Sequence, residues 1–234
     1  MIADRDKAAQ PGQQRTYGRI NGRPLSSRQQ TLVETLLPAI APPVAPAVRL
    51  DPRSLFAGEV KEVWFEIGFG GGEHLIGQAA RRPDVGLIGV EPYMEGVGKA
   101  LSLLDDAGLD NVRIHAGDAR DVLAGLTDAS LDRVFVLFPD PWPKTRHHKR
   151  RIIQHDFVAE LARLVRPGGR VRAATDWSHY ADWILERFIR SPDFDWTAET
   201  ADDWRRPPAD HVQTRYQMKG LGDCAPVFFD IRRA

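Results

Sequence analysis

The segment Glu66-Ile67-Gly68-Phe69-Gly70-Gly71-Gly72 sets an acid just ahead of a run of glycines. Glycine removes side chains where a backbone must turn sharply and lie close to a ligand. Between a strand and a helix, such a loop ordinarily holds a nucleoside-containing cofactor. Two readings are open. A dinucleotide would rest its pyrophosphate on the helix N-terminus. Against that, Glu66 would repel phosphate but can hold the ammonium of an amino-acid group. The spacing is also E-x-G-x-G-x-G, not the dinucleotide G-x-G-x-x-G. Two further acids follow, Glu91 in Gly89-Val90-Glu91 and Asp118 in Gly117-Asp118-Ala119. At the end of a second strand, Glu91 can accept hydrogen bonds from ribose hydroxyls. Asp118 can accept from an adenine amino group or cap the helix that follows it, and its residue type leaves both roles open.

A second loop has a different chemistry. In Phe138-Pro139-Asp140-Pro141-Trp142-Pro143-Lys144 the prolines stiffen the chain. They set Asp140 at the carboxyl end of a strand, where ligands of such sheets react. Trp142 offers a flat apolar surface for packing a base. The run that follows, through Arg151, carries five fixed positive charges (Lys144, Arg146, Lys149, Arg150 and Arg151) and no negative one. Such a run can neutralise the phosphates of a polyanion. His147 and His148 are adjacent and lack partners at ligand spacing, so no metal is expected.

These loops need elements to hold them. Short apolar strands are expected at Val63–Ile67, Leu87–Val90, Val112–His115, Val134–Phe138 and Val171–Ala174, with later ones near 194–198 and 226–232. Helices are expected over 73–81 and 94–107, around 119–125, through Ile153, Phe157, Leu161 and Leu164, and through Tyr180, Trp183, Ile184 and Phe188. Pro167-Gly168-Gly169 is expected to end the fourth of these helices. Apolar strands alternating with helices imply a mostly parallel sheet covered on both faces. Ahead of it, Ser26 or Ser27 can cap a short helix, and five prolines from Pro38 to Pro52 predict an extended connector over 38–53. Residues 1–25 lack apolar periodicity and are expected to be mobile.

With 234 residues, the chain can bury a substantial α/β core. Net charge is zero, with 32 basic and 32 acidic residues, so only the distribution of charge is informative. Residues 1–30 and 144–151 are locally basic, and the acids gather elsewhere, as from Asp193 to Asp203. No apolar run is long enough for a membrane span, and the polar N-terminus has no secretory h-region. The one cysteine, Cys224, excludes an internal disulfide, fits a reducing cytosol, and is expected to be inert.

Acids at the ends of three successive strands, behind a glycine loop, resemble the class I S-adenosylmethionine-dependent methyltransferases. Their Rossmann-like fold has a mostly parallel seven-stranded sheet with helices on both faces. A narrower resemblance rests on EIGFGGG (66–72), GVEPY (89–93), FPDPWPKTRHHKRR (138–151), ATDW (174–177) and Thr214-Arg215-Tyr216, with TYGRINGRPL (16–25) as a basic arm. Together these resemble the bacterial tRNA (guanine-N7-)-methyltransferases, which methylate the guanosine at position 46 of tRNA. The resemblance extends over roughly residues 55–234. It implies S-adenosylmethionine as cofactor, no metal, tRNA as partner, no membrane, and a cytoplasmic location. It implies cofactor contacts at Glu66, Gly68, Gly70, Glu91, Asp118 and Asp140, with Asp140 also catalytic. Lys144, Asp176, Thr214, Arg215, Tyr216 and Gln217 match substrate contacts, and Arg146, His147, His148, Lys149, Arg150 and Arg151 the RNA-binding segment. At 217 the family carries glutamate. Gln217 keeps an acceptor but loses the charge, so no ionised role is expected there. The implied organisation is an arm over 1–55 and a catalytic domain over 56–234, and both a monomer and a homodimer remain compatible. A protein or small-molecule methyltransferase would explain the glycine loop but not the basic segment. A non-catalytic RNA-binding module would leave the acids unexplained.

Overall fold

The computed structural model describes residues 22–43 and 49–234. Expectations placed on residues 1–21, and on part of the connector, lie outside the described residues. The elements are α1 (Ser27–Ile40), β1 (Glu62–Ile67), α2 (Glu73–Arg81), β2 (Val85–Val90), α3 (Met94–Ala107), β3 (Val112–His115), α4 (Ala119–Leu123), β4 (Leu131–Leu137), α5 (His155–Leu164), β5 (Val165–Thr175), α6 (Ser178–Ile189), β6 (Phe194–Trp196), α7 (Asp202–Arg205), α8 (Arg215–Met218) and β7 (Val227–Arg233). The seven strands run in the order β3-β2-β1-β4-β5-β7-β6. All pairs from β3 to β5 are parallel, and β7 runs antiparallel to both of its neighbours.

Alternation along β1 divides the core. Val63, Phe65 and Ile67 pack with α4, α5 and α6. Trp64 faces the other way, with Leu75 and Ile76 of α2, Val97 and Leu101 of α3, and Leu32 of α1. Glu66 shares the parity of Trp64 and so points to the α2 side. The strand order reverses at β1 and β4, leaving a crevice beyond their carboxyl ends, the place where open α/β sheets bind ligands. The glycine loop leaves β1 at that crevice, and the Asp140 loop leaves β4 there.

Three sequence expectations change. Helix α1 continues through Pro38 to Ile40. The proline lies in the last turn on the exposed side, so a single helical bond is forgone, while Ala41 N–H still closes on Leu37 O. Ser26 is the cap, in a reciprocal capping box with Gln29. Pro52 likewise opens a 3-10 turn, Pro52–Leu55, instead of extending the connector. Finally, α5 stops at Leu164, ahead of Pro167. Val165 is already extended and pairs with Leu131, and the register then shifts before Arg170. Pro167-Gly168-Gly169 is therefore a bulge inside β5, consistent with the extended bias of residues just before a proline.

Gly72 joins the glycine loop to α2 at φ 85°, and a Cβ there would lie 2.6 Å from Ala100 Cβ and 2.9 Å from Ala100 Cα. Gly72→Ala combines left-handed strain with a steric conflict against helix α3. It should destabilise the fold by about 3 kcal/mol, read as a lowered midpoint in denaturant unfolding.

Candidate active site

Glu66, next to last in β1, is almost fully buried, at 3 % exposure. Its Oε2 lies 2.8 Å from His74 Nδ1. Gln78 Nε2 sits 3.1 Å from His74 Nε2 and donates to Asp210 O at 2.6 Å. Only an amide N–H can donate to that carbonyl, so the orientation of Gln78 is set, and its second N–H meets His74 Nε2 as an acceptor. The imidazole therefore carries its proton on Nδ1 and donates it to Glu66. One carboxylate oxygen is held by His74, and the other makes no hydrogen bond among the described residues.

Glu91 is also buried. Its Oε2 accepts from Gly70 N at 2.8 Å and its Oε1 from Tyr93 N at 2.9 Å, so the carboxylate ties the glycine loop to the end of β2. Burial pushes its pKa up, the two backbone donors work against that rise, and the charges of Asp140 and Glu66 add to it. Because β1 lies between β2 and β4, Glu66, Glu91 and Asp140 all stand at or just beyond the carboxyl ends of three adjacent strands. Gly68 and Gly70, at φ 72° and 58°, look onto open space: a Cβ on either would meet no heavy atom within 4 Å. Asp118 caps α4 through Arg120 N and is also gripped by the Arg120 guanidinium. The capping role is the one its hydrogen bonds display.

Asp140 is exposed, yet the protein around it removes enough solvent to raise its pKa. The chain on either side is strained. Phe138 and Trp142 have φ 51° and 44°, left-handed values that cost about 1–3 kcal/mol each in residues with a side chain. Such strain collects at functional sites. The Arg150 guanidinium lies 5.0 Å from the centre of the Trp142 ring, so the base-packing surface read from sequence already carries a cation.

The basic run forms a 3-10 turn, Thr145–Arg150. Lys144, Arg146 and Lys149 are exposed, and His147, His148 and Arg150 are half-buried. Loss of solvent, and then neighbouring positive charge, pushes both histidines below the usual value. Arg151 departs from the group. It is 2 % exposed and its Nε donates to Pro141 O. An inward-facing guanidinium is not placed to meet a phosphate.

The late motif joins the site from the other side. Asp176, at the end of β5, is buried, and Tyr216 OH lies 3.5 Å from its Oδ1. Charge from Asp176 and from Asp140 contributes to the raised pKa of Tyr216, after burial as the largest cause. Thr214 caps α8, and Arg215 reaches Glu73 at 3.2 Å. Gln217 Oε1 is 2.8 Å from His211 Nε2. The acceptor that the sequence left at 217 is thus turned towards His211. His74, Gln78 and His211 had no place in the sequence reading. The available signal was a polar pair, four residues apart, on the buried face of α2.

Asp210 fastens this late segment to the sheet. It accepts from Arg172 at 2.6 Å and Arg133 at 2.8 Å. Despite partial burial, those arginines hold its carboxyl down at about 2. A depressed folded-state value means stability present above the unfolded aspartate pKa, near 3.9, and lost as pH falls from there through about 2. Asp210→Asn should therefore lower the melting temperature at about pH 6, with the difference from wild type closing between about pH 4 and 2.

Among the described residues, no group of three or more His, Cys, Asp or Glu side chains is placed to hold a metal ion. No described helix is long and apolar enough to cross a membrane. Cys224 is half-buried, and burial raises its pKa.

The sheet order, the glycine loop at the switch point and the acids at the adjacent strand ends define a class I methyltransferase fold. A solved structure of precorrin-6y C5,15-methyltransferase from Geobacter metallireducens has this fold, with TM-score 0.50 and 14 % identity over 76 % of this chain and 84 % of that one. Residues 60–227 match the family described as "Putative methyltransferase". The tRNA (guanine-N(7)-)-methyltransferase of Caulobacter sp. (strain K31) is 54 % identical over 95 % of this chain and 96 % of its own length. That of Hyphomonas neptunium is 52 % identical over 93 % and 99 %. The chain belongs to the tRNA (guanine-N7-)-methyltransferase family.

Proposed function

We propose that the protein transfers the methyl group of S-adenosylmethionine to N7 of guanosine 46 in tRNA, in the cytoplasm. The observation that carries this reading is the crevice at the switch point, where Glu66, Glu91 and Asp140 stand at the carboxyl ends of adjacent strands near the basic turn with its exposed Lys144, Arg146 and Lys149. The residues fit the cofactor. Open space lies in front of Gly68 and Gly70, Glu66 has a free oxygen for an ammonium, and Glu91 lies at the strand end suited to ribose hydroxyls. The catalytic unit is residues 56–234, and residues 1–55 are the arm, whose helix α1 packs onto that unit through Leu32.

The cofactor supplies an electrophilic methyl carbon on a sulfonium. Guanine N7 already has an in-plane lone pair and no proton, so no base is needed to expose it. As the lone pair forms the N–C bond and the C–S bond breaks, the purine becomes cationic. The protein therefore has to align the reactants and stabilise positive charge. Asp140 supplies a carboxylate at that point. Asp176 and Tyr216 hold the base edge, whose N–H groups grow more acidic as N7 is alkylated. Lys144, Arg146 and Lys149 meet phosphates, with Arg150 adding charge beside Trp142.

The test is incubation of the protein with S-adenosylmethionine and unmodified tRNA, followed by nuclease mapping and mass analysis. N7-methylguanosine at position 46 is the expected product. Its absence, with methylation of a protein or small molecule in its place, would refute the proposal.

A further inference from the structure

Arg151 presents a problem that methyl transfer by itself does not solve. A guanidinium stays charged at any ordinary pH, and burying it without a counter-ion is unfavourable. Yet Arg151 is 2 % exposed, and no carboxylate among the described residues forms an ion pair with it. Its contacts are of other kinds. Nε donates to Pro141 O at 2.8 Å, and Nη1 lies 3.2 Å from His179 Nδ1. The guanidinium carbon lies 4.7 Å from the ring centres of both Tyr180 and Trp183. Trp183 is in turn fixed by its own Nε1–H to Ile153 O, at 2.8 Å. The backbone around Arg151 is closed as well, with its N–H on His148 O and its carbonyl accepting from Gln154 Nε2. Burial also holds its pKa below the ordinary arginine value.

Pro141 is the residue after Asp140, inside the segment whose two ends, Phe138 and Trp142, are left-handed. A strained segment keeps its shape only when its surroundings over-determine it. Pro139, Pro141 and Pro143 have no N–H to donate, so carbonyls carry much of the anchoring available to this segment. On the proposed function, we infer that Arg151 is a positioning residue: seated between the rings of α6, it clamps the Pro141 carbonyl and so fixes Asp140 against the reacting base. Arginine suits the task because its planar fork reaches two acceptors while its face packs on aromatic rings, and lysine can do only part of this. The last residue of the basic run thus belongs to the scaffold of the loop, and the tRNA phosphates are left to the residues before it.

The test uses the full-length protein with Arg151→Lys and Arg151→Met. Expected in both is a fall in kcat of about 10- to 100-fold, as follows from misplacing a reacting group by about 1 Å. The Kd for tRNA and the slope of log Kd against log salt should stay at wild-type values, and hydrogen exchange across 138–143 should speed up. A phosphate contact would do the opposite: unchanged kcat, weaker tRNA binding, and a slope reduced by about one unit. That outcome, or unchanged kcat with unchanged exchange, overturns the inference. If neither variant keeps the wild-type fold, His179→Ala decides, since His179 is exposed. It should lower kcat severalfold, and no change would overturn the inference. If the wild-type protein makes no N7-methylguanosine, the proposed function fails by itself, while the exchange measurement still tests the clamp.

Discussion

Asp140→Asn lowers kcat for tRNA methylation by about 10²–10³-fold, the range for removing one preorganised electrostatic contact, while the Kd for S-adenosylhomocysteine moves far less. Asparagine keeps the size of the side chain and one acceptor oxygen, so the Arg151–Pro141 clamp and the loop survive. What is lost is negative charge beside a purine that becomes cationic only during transfer. Single-turnover rates at saturating tRNA check this, and a rate within about twofold of wild type would sink the assignment. The pH profile gives a second check. Loss of solvent raises the Asp140 pKa, so on the proposed function the carboxylate that stabilises the cation is present above that raised value and lost as pH falls through it. Wild-type kcat should decline on the acid side at a higher pH than an ordinary aspartate would give, and Asp140→Asn should lack that limb. Glu91 is raised too, but on the proposed function its protonation acts on cofactor binding and should be suppressed at saturating cofactor.

The centre of the sheet was legible because β1, β2 and β4 are short, largely apolar and almost wholly buried, as strands covered on both faces are. The boundaries that moved are those where proline does not act as a stop. Pro38 falls in the last turn of α1, where one lost hydrogen bond is tolerable, and Pro167 is absorbed as a bulge in a strand that already begins with Val165 paired to Leu131. Helices α7 and α8, each of 4 residues, are too short to show a period of 3.6.

At the site, residue type reached only as far as the chain segment. Glu66, Glu91, Asp118 and Asp140 are visible as strand-end acids, since topology brings such ends together. Which lone pairs are already engaged is a tertiary fact. Asp118 is held by Arg120, and Gln217 by His211, six residues earlier. The basic run hides a similar division. Arg150 and Arg151 are adjacent and chemically identical, but one lies over Trp142 near solvent and the other sits between Tyr180 and Trp183. No spacing rule separates them, because the rings that bury Arg151 come from α6, well along the chain.

The second large effect is expected at Glu66, where Glu66→Gln should raise the Kd for S-adenosylmethionine by roughly 10- to 150-fold, the equivalent of about 1.5–3 kcal/mol for a hydrogen bond to a charged partner. The substitution is nearly isosteric. The new side chain would offer its amide oxygen to the Nδ1–H of His74, so the buried line from position 66 through His74 and Gln78 to the Asp210 carbonyl stays closed, and the melting temperature should shift little. The oxygen that faces the crevice would become an N–H₂ group, which cannot accept from an ammonium and sets two donors against one another. His74→Phe makes the complementary break. It leaves the charge on Glu66 but removes the donor that orients it, and it strands a buried carboxylate oxygen. It should therefore weaken cofactor binding and also lower stability. Calorimetric titration with S-adenosylhomocysteine, alongside thermal melts, separates the two. A Glu66→Gln protein that binds cofactor as tightly as wild type would remove the ammonium from this position, and with it the reason for an acid ahead of the glycines.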